Sequence, residues 1–121
     1  MESLFGQIAD VLGDDLGIDS KDVYDQFCER EIQSSTVVRD GLAIPHIIVK
    51  AEDAHRLVLV RARTSIVFPE DRLVHVAFVI TGSASESGRS LHLRELVAIA
   101  QITNNPEFDK LINYAINYYN D

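Results

Sequence analysis

Two of the four histidines in this chain stand where an imidazole could do chemistry. His46 ends the segment Thr36-Val-Val-Arg-Asp-Gly-Leu-Ala-Ile-Pro45-His46. Asp40-Gly41 is a strong turn dipeptide, since both residues tolerate positive φ, and the flanking Thr36-Val37-Val38 and Leu42-Ala43-Ile44 read as short strands. Pro45 fixes φ, donates no ladder hydrogen bond and pushes Ile44 toward an extended shape. His46 is therefore expected just past a strand end, where ligands tend to meet a sheet. A neutral imidazole there is a good nucleophile; an idle surface loop histidine has the same spacing.

His92 is the second candidate. Ser90 can cap a helix that would place His92 in its first turn, at the exposed rim, with Leu93, Leu96, Val97 and Ala100 facing the core at i, i+3, i+4, i+7. Unpaired amides and the positive end of the helix dipole favour anions at such a place. A first-turn surface histidine without a role fits the same pattern. His75, inside the apolar run Leu73 to Ile80, reads as a packed structural histidine, and His55 as a solvated loop residue.

These residues need a scaffold, and 121 residues at 46% hydrophobic content suffice for one compact domain spanning residues 1–121. The formal charge of −8, with no lysine or arginine cluster, argues against nucleic acid and anionic membrane surfaces and favours a basic partner protein. Cys28, the single cysteine, lies on a helical apolar stripe and reads as core. A secretory signal and an apolar run long enough to cross a bilayer are both missing from the sequence given, so a cytoplasmic location is expected, with no membrane insertion of this segment. The histidines lack acidic or cysteine neighbours at ligand spacing, so neither a metal nor another cofactor is expected.

Helical periodicity marks Leu4, Ile8, Val11 and Leu12, stopping near Gly13 and Gly17. A second helix, capped by Asp19 or Ser20, carries Val23, Tyr24, Phe27 and Cys28 and closes at Arg30-Glu31. Strands follow: Ile47 to Val49 can extend the histidine segment, Arg56 to Arg63 alternates, and Leu73 to Ile80 reads as a central strand covered on both faces. Beyond the polar 82–90 loop come the His92 helix and a restart at Asn105-Pro106-Glu107, with Phe108, Leu111, Ile112 and Ala115 as the last apolar stripe. Helices, then strands, then helices argue an α/β sandwich with a mixed β-sheet flanked by helices.

Arg30-Glu31, then Ser35-Thr36, Asp40-Gly-Leu-Ala-Ile-Pro-His46, Val76-Ala-Phe78 and Leu91-His92-Leu93 together resemble the enzyme IIA domain of the fructose and mannitol class of the phosphoenolpyruvate-dependent sugar phosphotransferase system. The resemblance covers essentially the whole chain. It implies that His46 accepts a phosphoryl group from a phosphocarrier histidine protein, that His92 lies beside it, and that Arg30 supports the phosphate. His92 would donate an N–H and Arg30 a forked, permanently charged guanidinium. That chemistry needs positioning and charge stabilisation rather than a metal.

Three positions depart from the family's pattern. Val37, Arg39 and Ile47 stand where it commonly has glycine, and a β-branched Ile47 narrows access beside the histidine. The segments Ala-Ile-Pro-His-Ile-Ile-Val, Val-Leu-Val-Arg-Ala-Arg and Leu-His-Leu-Arg-Glu-Leu-Val-Ala-Ile-Ala-Gln are more similar to copies used as regulators or fused behind membrane transporters. The leading expectation is a regulatory domain, attached to or acting on the membrane domain of a transporter, with His46 as its phosphorylation site. The alternatives are a binding module that uses the cleft for an anion or partner without covalent chemistry, and a sugar-specific phosphotransferase subunit.

Overall fold

The computed structural model describes residues 1–110. Two antiparallel helices open the chain, α1 (Glu2–Leu16) and α2 (Ser20–Gln33). Asp19 caps α2, its carboxylate accepting the Lys21 amide at 2.9 Å. The strands β1 (Val37–Arg39) and β2 (Gly41–Ala43) form the expected hairpin, with Gly41 at φ 85° in the turn. Then come β3 (His46–Val49), β4 (Arg56–Phe68), β5 (Arg72–Ser83) and α3 (Glu86–Thr103).

The five-stranded sheet is mixed, as expected, and β5 is its spine. β2 runs parallel to the first half of β5, with Ala43 against Ala77, and β3 parallel to the second half, with His46 against Ile80. β4 lies antiparallel along the other side of β5 and is longer than the alternation of Arg56 to Arg63 indicated, because its register shifts between Arg61 and Ile66 and pairing resumes to Phe68. His75, half-buried, lies opposite that irregularity.

Alternation along β5 from Val76 to Ile80 divides the interior into two layers, and Val74, three residues before Ala77 yet in the same layer, departs from that alternation. Val74, Ala77 and Val79 join Phe5, Ile8, Leu12, Val23 and Phe27 under α1 and α2, where Phe5 stacks on Phe27 at 5.4 Å and meets Phe68 edge-on at 5.8 Å. Cys28 packs against this layer. On the opposite face, Ile80 packs with Ile44, Phe78 and Ile99 of α3. The sheet is thus flanked by helices on both sides.

Two expectations are corrected. α3 begins at Glu86, capped by Ser85, whose hydroxyl accepts the Gly88 amide at 3.1 Å, and not at Ser90. Its buried residues are His92, Ile99 and Thr103, while Leu93 is 62% exposed and Val97 is exposed too. The helix carries apolar residues all round, so more than one stripe satisfies i, i+3, i+4, i+7, and contact with β5 selects the stripe containing His92. His92 therefore sits deep in the helix and 6% exposed, not at a first-turn rim. At the other end, Asn105 caps the restart, accepting the Glu107 amide at 3.0 Å, and residues 106–110 are helical. The expected stripe residues Leu111, Ile112 and Ala115 lie outside the described residues.

Candidate functional site

The interruption at Ile44-Pro45 shapes the site. β2 and β3 follow one track along β5, but Pro45 leaves a gap between them, so His46 opens β3 instead of trailing a strand. Ile44 is tied by its amide to the Thr36 carbonyl at 2.9 Å, and Pro45 by its carbonyl to the Ile80 amide at 2.9 Å. The Ile44 carbonyl is left to take the His46 ring, whose Nδ1 lies 2.7 Å away.

That contact requires Nδ1 to carry the proton, which leaves a lone pair on Nε2. Arg30 Nη2 lies 3.3 Å from Nε2, and a guanidinium can only donate. Both contacts therefore select the same tautomer, with Nε2 as the nucleophilic atom. Arg30 is itself steadied by donating from Nη1 to the Ser34 carbonyl at 2.7 Å.

Glu31 is marked by the sequence as a helix end and as part of the Arg30-Glu31 pair in the family pattern, with no role of its own. It is 2% exposed, and its carboxylate accepts from both the amide and the hydroxyl of Thr36. This ties the last turn of α2 to the start of the hairpin and so fixes Arg30 relative to His46. A carboxylate five residues before Thr36 at a helix end was the available signal, and nothing in the sequence marked it as buried.

His92 reaches the same place from the other side of the sequence. Its ring centroid lies 5.7 Å from that of His46, with the planes inclined by 51°. Arg30, Glu29 and Gln33 of α2, His46 to Ile48 of β3, and His92 and Leu96 of α3 line a shallow pocket of about 430 Å³. Burial pushes the His46 imidazole below its ordinary range; the Ile44 carbonyl opposes this, Arg30 adds to it and Glu31 opposes it. Burial, followed by the neighbouring His46 and His55, pushes His92 down to about 4. Both rings are neutral at pH 7, one ready to attack and the other able to donate an N–H without carrying charge.

His55 departs from its expected solvated loop. Its Nε2 pairs with the Glu95 carboxylate on α3, and its Nδ1 is buried without a partner. The three positions where the family has glycine are each engaged elsewhere. Ile47 and Val37 are buried in the layer beneath α1 and α2, and Arg39 pairs with Asp109. Strand alternation sends the Ile47 side chain to the face opposite His46, so the ring is not walled off. Among the described residues no three histidine, cysteine or carboxylate side chains converge as a metal site, and no helix is long and apolar enough to cross a membrane.

The family model for the phosphoenolpyruvate-dependent sugar phosphotransferase system, EIIA 2, matches residues 1–118. The chain belongs to that family. The EIIA 2 fold is borne out by the crystal structure of nitrogen regulatory protein IIA-Ntr from Neisseria meningitidis, which is 22% identical at TM-score 0.79, over 92% of this chain and 76% of that one. A putative PTS IIA domain from Streptococcus pyogenes M1 GAS aligns more loosely, with TM-score 0.46 and 17% identity over 81% of this chain and 70% of that one. No curated protein matches this EIIA 2 chain.

Proposed function

We propose that this EIIA 2 domain, folding as one unit over residues 1–121, is a cytoplasmic regulatory relay in which His46 is reversibly phosphorylated by a phosphocarrier histidine protein. In the transfer, the Nε2 lone pair of His46 forms a bond to phosphorus as the bond to the carrier's imidazole breaks and its electron pair returns to that ring. The Nδ1 proton stays in place, hydrogen-bonded to the Ile44 carbonyl, so the ring needs no base. Arg30 and the His92 N–H meet the phosphoryl oxygens, where fixed donors in a partly buried site stabilise charge most effectively.

The observation carrying this reading is the convergence of Arg30 and His46 at 3.3 Å with His92 across the pocket, on a tautomer that frees Nε2. A regulatory role is supported by the fold likeness to a protein described as nitrogen regulatory, and by the departures at Val37, Arg39 and Ile47. The regulated target we propose is the membrane domain of a transporter.

Mixing the domain with phosphoenolpyruvate, enzyme I and the phosphocarrier tests the reading. Acid-labile phosphate should appear on the wild type and not on His46→Ala. Absence of label from the wild type would overturn the relay and leave a module that binds an anion or a partner without covalent chemistry.

A further inference from the structure

Gly82 lies on β5 opposite Ile48 of β3, behind the His92 ring. A Cβ placed on Gly82 would stand 2.8 Å from Nδ1 of His92 and 2.9 Å from its Cβ and Cγ. Real Cβ atoms do not approach other heavy atoms so closely, so a side chain here cannot coexist with the ring where it is. The backbone at Gly82 does not have the positive φ that reserves a site for glycine, since Gly17 and Gly41 are the only glycines with positive φ among the described residues. Contact with His92, not conformation, is what demands glycine.

We infer that Gly82 is a positioning residue for the reaction proposed above: the missing side chain lets the His92 ring lie flat on β5 and presents its Nε2–H to the group held by His46 and Arg30. The orientation follows from which nitrogen is enclosed. Nδ1 of His92 is buried without a hydrogen-bond partner. Orphaned buried N–H groups are rarer than under-used acceptors, so the enclosed nitrogen holds the lone pair and the proton sits on Nε2. His92 then serves as a neutral donor whose direction is set by the strand behind it. Both the ring and the strand are otherwise fixed: His92 is 6% exposed and Gly82 is held in the β3 and β5 ladder. The added methyl must therefore push the imidazole off β5, and through the contact with the His92 Cβ it must push that turn of α3 outward with it.

The inference rests on the relay reading only for its kinetic arm. The decisive measurement is an NMR titration of the imidazoles in unphosphorylated protein, with the nitrogen shifts reporting the tautomer. Wild-type His92 should show the Nε2–H form and titrate near 4. In Gly82→Ala its midpoint should move up toward the ordinary 6.5 as the ring meets solvent, while far-UV circular dichroism stays unchanged. In the phosphoryl transfer assay the same variant should be slower by roughly tenfold, as expected for a displaced donor. Adding Gly82→Ala to His92→Gly should cost nothing further in rate or stability, because all three atoms that the new Cβ would meet, the Cβ of His92 included, have gone. If Gly82→Ala alone fails to fold, the double variant should fold, and its failure to do so would overturn the inference. An unchanged His92 titration in Gly82→Ala, or an equal penalty in the His92→Gly background, would overturn it as well. Where the wild type takes up no phosphate, the relay fails while the titration still decides the role of Gly82.

Discussion

Glu31 grips Thr36 with both carboxylate oxygens, one on the backbone amide at 2.6 Å and the other on the hydroxyl. The pair is buried and joins a helix end to the hairpin that leads to His46. Glu31→Ala should destabilise the fold by about 3 kcal/mol, since it strands two buried donors that bonded to a charge. Glu31→Gln can still accept the amide and donate to the hydroxyl, so its cost should be less than half as large. Urea unfolding of the two variants measures both. The glutamine should also lower the His46 midpoint further, because the nearby negative charge that raises it has been removed.

Arg30 divides its guanidinium between His46 Nε2 and the Ser34 carbonyl. A lysine offers a point charge that cannot hold both in that geometry. Arg30→Lys should therefore lower the rate of phosphate uptake by about 10-fold to 100-fold while leaving stability within about 1 kcal/mol, and Arg30→Ala should lower the rate further. Initial rates of acid-labile labelling at fixed carrier concentration separate the two variants.

The His92 imidazole sets a pH dependence with a definite sign. Folding holds it neutral down to about 4, whereas the unfolded chain binds the proton near 6.5. Between these values the unfolded state carries more protons, so acidification destabilises the fold across that window. The loss from this one group approaches about 3 kcal/mol at the acid end and is absent above about pH 7. His46, shifted in the same direction, adds to it. Unfolding free energies of the wild type and His92→Ala from pH 4 to pH 7 should converge at the acid end and diverge as the pH rises.

Restoring the family's glycine beside the reactive histidine should not improve the site. The Ile47 side chain is 6% exposed and belongs to the layer with Phe5, Val23 and Phe27. Ile47→Gly should cost about 3–5 kcal/mol through the cavity it opens and the freer backbone of the unfolded chain. Phosphate uptake per folded molecule should stay within about twofold, since the Ile47 side chain points to the face of the sheet opposite the His46 ring and packs in the core. Thermal unfolding paired with labelling of the soluble fraction checks both halves.

Much of this arrangement was legible before any coordinates. The stripe of Val23 and Phe27, the Asp40-Gly41 hairpin and the central strand up to Ile80 follow from local periodicity and turn chemistry, and all three are in the fold, although the run expected to be covered on both faces leaves Leu73 exposed at its start. Pairing His46 with His92 required the family pattern, because nothing local says that residues 46 positions apart share a pocket. The α3 stripe was misjudged because that helix has apolar residues on every side, and only its contact with β5 decides which ones are covered. His55 looked solvated because its partner, Glu95, comes from a distant element. Glu31 and Gly82 escaped notice for a related reason: a buried carboxylate and a glycine needed for contact look in sequence like any helix-end acid and any loop residue.

The break in the strand track at Pro45 reaches beyond topology. Because Ile44 lies outside the ladder, the dipole that orients the His46 ring belongs to the main chain and not to an ionisable side chain. Such a steering element does not titrate and is barely screened by salt. No change in the charge of a neighbouring group switches it off, so the lone pair on Nε2 should keep its direction as dependably in concentrated buffer as in dilute.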